Sequence, residues 1–153
     1  VGVCWYEATA YARWLAATTK LPFRLPLEPE WEWAARRGGR AFPWGRGWQA
    51  DRLNSLEGRV LRTTPVGAYP HGVTPDGIND LAGNVWEWTA TRYADYPYRP
   101  EADLEDPDAI GLRVVRGGGW AAHRRMVRCS SRRRHDPRPR SDDLGYRLAR
   151  SLE

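Results

Sequence analysis

The stretch Gly83-Asn84-Val85-Trp86-Glu87-Trp88 lies near the middle of the chain and joins a glycine turn to alternating apolar and polar residues. Two later runs also combine glycine with aromatic or arginine residues, namely Arg116-Gly117-Gly118-Gly119-Trp120 and Gly145-Tyr146-Arg147. Alternation with β-branched and aromatic residues is typical of strands. We therefore expect short strands at 85–89, 112–116 and 146–150, each beside one of the glycine runs.

Two helices are predicted before this stretch. Within 5–17, apolar residues that include Tyr11 and Trp14 recur at spacings of three and four, which is typical of an amphipathic helix. Residues 28–37 form the second predicted helix, which has a proline in its first turn and two glycines after its end. Because large aromatic side chains dominate protein cores, we expect the tryptophans of both helices to be buried.

Long loops connect these elements. Residues 42–80 are rich in proline and glycine, and residues 93–108 are rich in proline and acidic residues; both segments leave room for short strands only. A loop as long as residues 42–80 must be held in place by its own side chains or by ions. The length of 153 residues is that of one domain.

Composition restricts the setting of the protein. No run of about 18 apolar residues is present, so no membrane span is predicted. Two cysteines far apart in sequence do not indicate a disulfide framework, which favours a reduced, cytoplasmic setting; display at a surface through a region before residue 1 is the alternative. Lysine, glutamine and methionine are scarce while arginine is abundant, a pattern that fits a GC-rich, heat-adapted source.

Positive charge is concentrated near the carboxyl end. Residues 113–150 carry 12 Arg and 3 Asp, a balance of +9, and the remaining residues carry −4, which gives the overall +5. One interpretation is a solvated surface with several guanidinium groups bound to loop carbonyls. The other is a nucleic-acid site. The arginines alternate with proline, glycine and aspartate rather than lining a helix face, and this argues against nucleic acid.

Taken in order, the motifs resemble the formylglycine-generating-enzyme branch of the C-type lectin fold. The matching runs cover nearly the whole chain; they are Trp5-Tyr6-Glu7-Ala8, Arg24-Leu25-Pro26, Glu30-Trp31-Glu32-Trp33-Ala34-Ala35-Arg36, Pro43-Trp44-Gly45, Pro65-Val66-Gly67, Asp80-Leu81-Ala82-Gly83-Asn84-Val85-Trp86-Glu87-Trp88, Arg116-Gly117-Gly118-Gly119-Trp120 and Gly145-Tyr146-Arg147. The resemblance implies a single lectin-like domain over 1–153, with an α+β fold of two helices, small antiparallel sheets and a high loop content. Since the chain opens without Met in the middle of a strand-like run, we expect that it lacks the amino-terminal portion of that domain.

The chemistry of the family is not expected in this chain. Its copper-dependent oxidases use two cysteines shortly after the glycine run, because thiolates select Cu(I). Here the matching positions begin with Ala121 and Ala122, and Cys129 fits a neighbouring, non-catalytic position. The three histidines have no recognisable iron-ligand spacing. We therefore expect no copper or iron and no enzymatic activity; an oxidase of this family with an altered or lost metal site is the alternative.

A structural calcium site is what the resemblance implies for the opening stretch. Its ligands would be the side chains of Asp80 and Glu87 with the main-chain carbonyls of Gly83 and Val85, and hard oxygen ligands of this kind suit calcium. The alternative is that Asp80 caps a turn and Glu87 pairs with an arginine. A second family site near Asn54 is expected to be incomplete, because the acidic loop after it is missing.

The segment between Trp120 and Gly145 resembles the variable region of diversity-generating retroelement proteins, in which fixed frame residues separate substituted positions. The frame residues are Trp120, Arg128, Arg132, Pro137, Arg140, Gly145, Tyr146 and Arg147. Adenine-directed substitution in such regions does not produce Glu, Lys, Gln, Trp or Met, and Met126 is the one residue of 121–143 outside that rule, which makes it a predicted scaffold position. Glu and Trp are common elsewhere in the chain.

We therefore predict a ligand-binding variable protein. The predicted variable surface comprises Ala121, Ala122, His123, Arg124, Ser130, Ser131, Arg133, Arg134, His135, Arg138, Ser141 and Asp142. Loops on a rigid scaffold tolerate such variation because substitution there disturbs no core. The predicted partner is a protein or another macromolecule of acidic character.

Overall fold

The computed structural model describes residues 1–99 and 104–151, so residues 100–103 of the predicted 93–108 loop lie outside it. It contains two α-helices, α1 (Trp5–Thr19) and α2 (Glu28–Arg36). The strands are β1 (Phe23–Arg24), β2 (Trp86–Arg92), β3 (Arg113–Arg116), β4 (Arg132–His135), β5 (Leu144–Tyr146) and β6 (Ala149–Arg150). Two 3-10 turns, Ala50–Arg52 and Leu56–Gly58, lie in the long loop after α2. The predicted α+β class is confirmed.

Two small sheets organise the strands. The main sheet has the order β4-β3-β2-β5, and a second sheet pairs β1 with β6. The pairings β2–β3, β3–β4 and β1–β6 are antiparallel, as predicted, whereas β5 runs parallel to β2. No helix within the described part of the chain is long and apolar enough to cross a membrane.

Two strand predictions need correction. The predicted strand 146–150 is divided between β5 in the main sheet and β6 in the small one, because Arg147 between them turns its guanidinium toward β2. Strand β4 was not predicted. Its sequence is three consecutive arginines and a histidine, which gives no apolar alternation, and it is a strand because it pairs along the edge of β3.

Glu7 stabilises the start of helix α1, and Lys20 lies at its end. The Cys4 backbone N–H donates to Glu7 Oε2 over 2.9 Å, so the acidic residue of the first turn satisfies a free donor at the helix start. Lys20 ends the helix in a left-handed conformation (φ 60°). Its buried residues are Trp5, Ala8 and Ala12, which recur at spacings of three and four.

The helix tryptophans divide into two pairs, contrary to prediction. Trp5 and Trp31 are buried, but Trp14 and Trp33 are 58% and 63% exposed. The prediction is wrong for the second pair because each helix packs only one side against a sheet that is a few strands wide. Two large aromatic rings are consequently left in solvent.

The core consists of three adjoining clusters. The first lies between α1 and one sheet face and is centred on Trp5, Trp86 and Trp88. The second packs α2 through Trp31 against Leu81 and Cys129. The third holds the long loop through Phe42, Leu53, Ala82 and Val127. The opening stretch contributes Trp86 and Trp88 to the first cluster, and Leu81 and Ala82 just before it belong to the second and third.

Candidate functional site

The centre of the opening stretch is a buried ion pair between Glu87 and Arg147. Arg147 Nε donates to Glu87 Oε2 and Arg147 Nη2 donates to Glu87 Oε1, each over 2.6 Å. Trp31 Nε1 donates to the same Oε2, also over 2.6 Å. Burial lowers the pKa of Arg147, but the charge and hydrogen bonds of Glu87 outweigh this and raise it above its ordinary value. The structure therefore shows the arrangement given above as the alternative to calcium binding, in which Glu87 pairs with an arginine.

Asp80, the other predicted carboxylate ligand, serves the loop beside this pair. Its φ is 55°, and its Oδ2 accepts the backbone N–H of Gly67 over 2.9 Å. The carbonyls of Asn79 and Asp80 accept hydrogen bonds from Arg147 Nη2 at 3.0 and 3.3 Å. Of the four predicted calcium ligands, the guanidinium of Arg147 therefore binds the Glu87 carboxylate.

Gly83 is required by the geometry of the turn. Its φ is 76°, and a Cβ on it would lie 2.2 Å from the carbonyl oxygen of Asn54. Its carbonyl accepts the N–H of Val85 over 2.9 Å. Glu87 is bound to Arg147 and Asp80 to the backbone of Gly67, and the calcium site that the family resemblance implies stays a prediction. No cluster of three or more His, Cys, Asp or Glu suited to a metal occurs among residues 1–99 and 104–151.

Side chains anchor the long loop. Asn54 Nδ2 donates to the carbonyl of Arg62 over 2.8 Å, and Asn84 Oδ1 accepts the backbone N–H of Thr64 over 2.9 Å. Asn84 N in turn donates to Asn54 O over 2.8 Å. The two buried asparagines therefore attach the loop to the opening stretch. The sequence leaves side chains or ions as the means of holding this loop, and the contacts to Arg62 and Thr64 are made by side chains.

A second buried charge network, missed in the sequence, centres on Glu28 of α2. Its Oε1 accepts Arg132 Nε at 2.8 Å and Arg116 Nη1 at 3.2 Å, and its Oε2 accepts Arg132 Nη2 at 2.9 Å. Arg116 Nη2 also donates to Glu32 over 2.7 Å. The Tyr98 hydroxyl donates to Glu28 as well. The network joins α2, β3, β4 and the loop after β2.

The basic residues of the carboxyl-terminal part form two groups. One group is buried or half-buried and donates to loop carbonyls; it comprises Arg113, Arg116, Arg132 and Arg147. Arg113, for example, donates to the carbonyls of Ala90, Asp106, Pro107 and Ala109 at 3.0 to 3.2 Å. This confirms the interpretation in which guanidinium groups hold loops. The other group is exposed; it comprises Arg124, Arg125, Arg128, Arg133, Arg134, Arg138, Arg140 and Arg150.

Neither cysteine is placed for metal chemistry. Cys129 is fully buried and its Sγ donates to the carbonyl of Ala35 over 3.3 Å, and burial raises the pKa of its thiol to about 11. Cys4 is buried at the start of α1, in a different part of the core. A thiol held protonated in this way is a poor nucleophile and a poor metal ligand.

The predicted variable surface is accessible throughout. Eight of the twelve residues are exposed, namely Ala121, His123, Arg124, Ser130, Arg133, Arg134, Arg138 and Asp142. The other four are half-buried, namely Ala122, Ser131, His135 and Ser141. None of the twelve is among the buried residues of the same segment, which are Val127, Cys129, Pro137 and Leu144. Met126 packs against the first core cluster, in keeping with a scaffold position.

The twelve residues do not share one face. Strand β4 is an edge strand, and its side chains alternate between the two sheet faces. Arg133 lies over the Trp86 ring at 5.9 Å and His135 packs edge-on to Trp88, whereas Arg134 lies over Tyr93 at 5.8 Å on the other face. The surface therefore wraps around the edge of the main sheet.

The fold and the buried arginine–glutamate ion pairs together define a loop-rich α+β domain of the C-type lectin type, in the form that formylglycine-generating enzymes adopt. The chain matches the family model described as the sulfatase-modifying factor enzyme 1-like domain over residues 1–152, and it belongs to that family.

Related proteins include both an enzyme and an inactive form. Hercynine oxygenase of Mycobacterium tuberculosis is 38% identical over 96% of this chain and 35% of its own length. Inactive C-alpha-formylglycine-generating enzyme 2 of Bos taurus is 36% identical over 97% of this chain and 49% of its own. The chain thus spans half or less of the length of these relatives.

Two solved structures share the fold over nearly the whole chain. PvdO from Pseudomonas aeruginosa superposes with a TM-score of 0.82 at 30% identity, covering 99% of this chain and 61% of that one. Treponema denticola variable protein 1 superposes with a TM-score of 0.80 at 26% identity, covering 96% and 69%. The structure is therefore similar to that of a variable protein, as the sequence predicted.

Proposed function

We propose that this domain is the ligand-binding variable protein of a diversity-generating retroelement, and that it presents its variable residues between Trp120 and Gly145. One observation carries the proposal. All twelve predicted variable residues are exposed or half-buried, while the intervening Val127, Cys129 and Pro137 are buried and Arg132 is tied to Glu28. Ala122 packs against the third core cluster and His135 against Trp88. Substitution at the other ten positions leaves the core and the buried ion pairs intact.

The chemistry of the surface suggests an acidic macromolecular partner. Arg124, Arg133 and Arg134 are exposed, and none of them has an ion-pair partner among the described residues. Unpaired surface arginines attract negative charge and contribute planar, multidentate hydrogen bonds. Similarity to Treponema denticola variable protein 1 adds support at the level of the fold.

Sequencing the locus across many isolates tests the proposal. We expect substitutions to concentrate at the twelve positions, with the frame residues unchanged and a near-identical template repeat beside a reverse transcriptase gene. Exposed positions outside the segment, such as Tyr11, Trp14 and Arg59, serve as the internal control because exposure alone makes them equally tolerant. An even distribution of substitutions over all exposed positions would contradict the proposal.

The second candidate is an oxidase of this family with an altered or lost metal site. Membership of a family that includes hercynine oxygenase favours it. The protein would be incubated with copper or iron and either hercynine or a cysteine-containing sulfatase peptide, and oxidation followed by mass spectrometry. Metal-dependent turnover would replace the binding proposal, whereas no turnover agrees with the buried, protonated state of Cys129.

A further inference from the structure

The outer side of α2 carries a groove that neither the ion pairs nor the predicted variable surface explains. It has a volume of about 490 Å³, within the range of ligand sites, and it lies between α2 and the loop after β2. Trp33 forms one wall, and Tyr96 and Tyr98 form the other. None of the twelve predicted variable residues lines it.

Its aromatic rings are unusually accessible. Trp33 is 63% exposed and Tyr96 is 55% exposed. The described residues provide no hydrogen-bond partner for the Tyr96 hydroxyl. Aromatic rings with a free polar group are the side chains that most often anchor protein contacts. Two such rings facing one groove point to a ligand with a flat or cyclic apolar group.

Both walls are held in place by the buried charge network. Arg132 lies over the Tyr96 ring at 4.2 Å and donates to the carbonyl of Ala94 over 2.9 Å, while Tyr98 is bound to Glu28. On the opposite wall, Glu32 binds both Arg36 and the buried Arg116 at 2.7 Å. A groove whose walls are already ordered loses little conformational entropy when it binds a ligand.

The charge around the groove is positive. Arg36 and Arg37 lie on its rim, and Arg37 stacks over Trp33 at 5.2 Å. Arg37 also pairs with Asp76 over 3.0 Å, but both side chains are about half exposed, and such pairs exchange partners at little cost. The groove therefore favours a ligand with carboxylates next to its apolar group.

The accessible surface extends past Trp33, which favours an extended chain over a small molecule. A second, open groove of about 850 Å³ shares Pro29 and Trp33 with the first and adds Arg24 and Arg150. Over the two grooves together there are four arginines and two glutamates; Arg24, Arg36 and Arg37 form exposed or part-exposed ion pairs, and Arg150 has no ion-pair partner among the described residues. We propose that this composite groove binds an extended acidic peptide segment of a partner protein, with an aromatic or proline side chain of that segment stacked between Trp33 and Tyr96.

Selection from a phage-displayed library of short random peptides tests the proposal directly. The wild-type domain is the bait, and the enriched peptides are then measured by fluorescence anisotropy. We expect acidic sequences with an aromatic residue or proline, and Trp33→Ala or the double variant Arg36→Gln/Arg37→Gln to weaken their binding about tenfold or more. Trp14→Ala, a tryptophan of similar exposure on α1, is the matched control and keeps full affinity.

Several results would overturn the proposal: no enrichment, enriched peptides without acidic character, or equal affinity for wild type and Trp33→Ala. A free tryptophan derivative that binds as tightly as the selected peptides would also overturn it, since the ligand would then be a small molecule. A variant with His123 and Arg124 replaced by serine separates this site from the proposed variable surface, because loss of binding there would assign the peptides to that surface instead.

Discussion

Glu87 and Arg147 form a two-pronged ion pair in the centre of the molecule, with both oxygen–nitrogen distances at 2.6 Å. Arg147 directly follows β5, and Glu87 lies in β2, so the pair fastens the carboxyl-terminal part of the chain to the middle of the main sheet. The Trp31 indole adds α2 to the same carboxylate. Three parts of the fold therefore depend on one negative charge.

Removing the arginine should leave Glu87 charged and buried with no cationic partner, since Trp31 supplies only a neutral hydrogen bond. We expect Arg147→Gln to lower the free energy of unfolding by about 3 kcal/mol or more, measured by urea denaturation. Arg150→Gln, on exposed β6 three residues later, is the control and should change it by less than about 0.5 kcal/mol. Equal stabilities of the two variants would show that the pair contributes little.

Calcium should not stabilise the wild-type protein, because Arg147 already neutralises Glu87. An ion that bound only the folded chain would add about 2.7 kcal/mol at a concentration about 100 times its Kd. We expect differential scanning calorimetry to give the same melting temperature in millimolar calcium and in EDTA. A melting temperature that rises with calcium concentration would restore the calcium site that the family resemblance implies.

The Glu28 network should be as sensitive as the central pair. Glu28 is fully buried, and Arg132 supplies two of its hydrogen bonds, at 2.8 and 2.9 Å. We expect Arg132→Gln to cost about 3 to 5 kcal/mol of unfolding free energy, measured by urea denaturation. Arg133→Gln, the next residue on the same strand but exposed, should cost less than about 0.5 kcal/mol. A similar loss in both variants would mean that β4 as a whole, rather than the network, was disturbed.

The sequence predicts the fold well because its decisive residues form local, ordered motifs. The glycine turn at Gly83, the two helices and the strands at β2 and β3 can all be read from neighbouring residues. The partner of Glu87 cannot, since 60 positions separate it from Arg147. Pairing at that distance depends on how β5 docks beside β2, which no local pattern encodes.

The candidate sites were harder to predict for a related reason. Arg132 and Arg133 are adjacent and chemically identical, yet one is bound to Glu28 and the other faces solvent, because neighbouring strand residues point to opposite faces. Trp31 and Trp33 differ in the same way on α2. The spacing of these residues in the sequence could have indicated that the two members of each pair point in different directions. It could not have indicated which member faces the core.

The predicted variable surface should tolerate simultaneous change. We expect a variant with His123, Ser130, Arg133 and Asp142 all replaced by alanine to unfold within about 1 kcal/mol of the wild type, since each exposed substitution changes stability by about 0.5 kcal/mol or less. The contrasting variant is Gly118→Ala, in which φ is 81° and the new Cβ would lie 2.6 Å from a Val127 methyl group. It should be less stable by more than about 1 kcal/mol. Thermal denaturation of both variants would decide, and a quadruple variant less stable than Gly118→Ala would contradict the assignment of these positions as variable.

Acid should weaken the contact between α1 and the segment before β5. Glu7 accepts hydrogen bonds from the Arg140 guanidinium and the Cys4 backbone, and these, the arginine first, lower the pKa of Glu7 from 4.5 to about 2. A carboxyl whose pKa is lower in the folded state stabilises the fold above its unfolded pKa, and this contribution is lost as the pH falls from 4.5 through 2. We expect Arg140→Gln to flatten the decline of melting temperature over that interval, and Arg13→Gln, an exposed control on the same helix, to leave it unchanged. An identical decline in wild type and Arg140→Gln would show that the frame residue Arg140 does not tie the segment to α1.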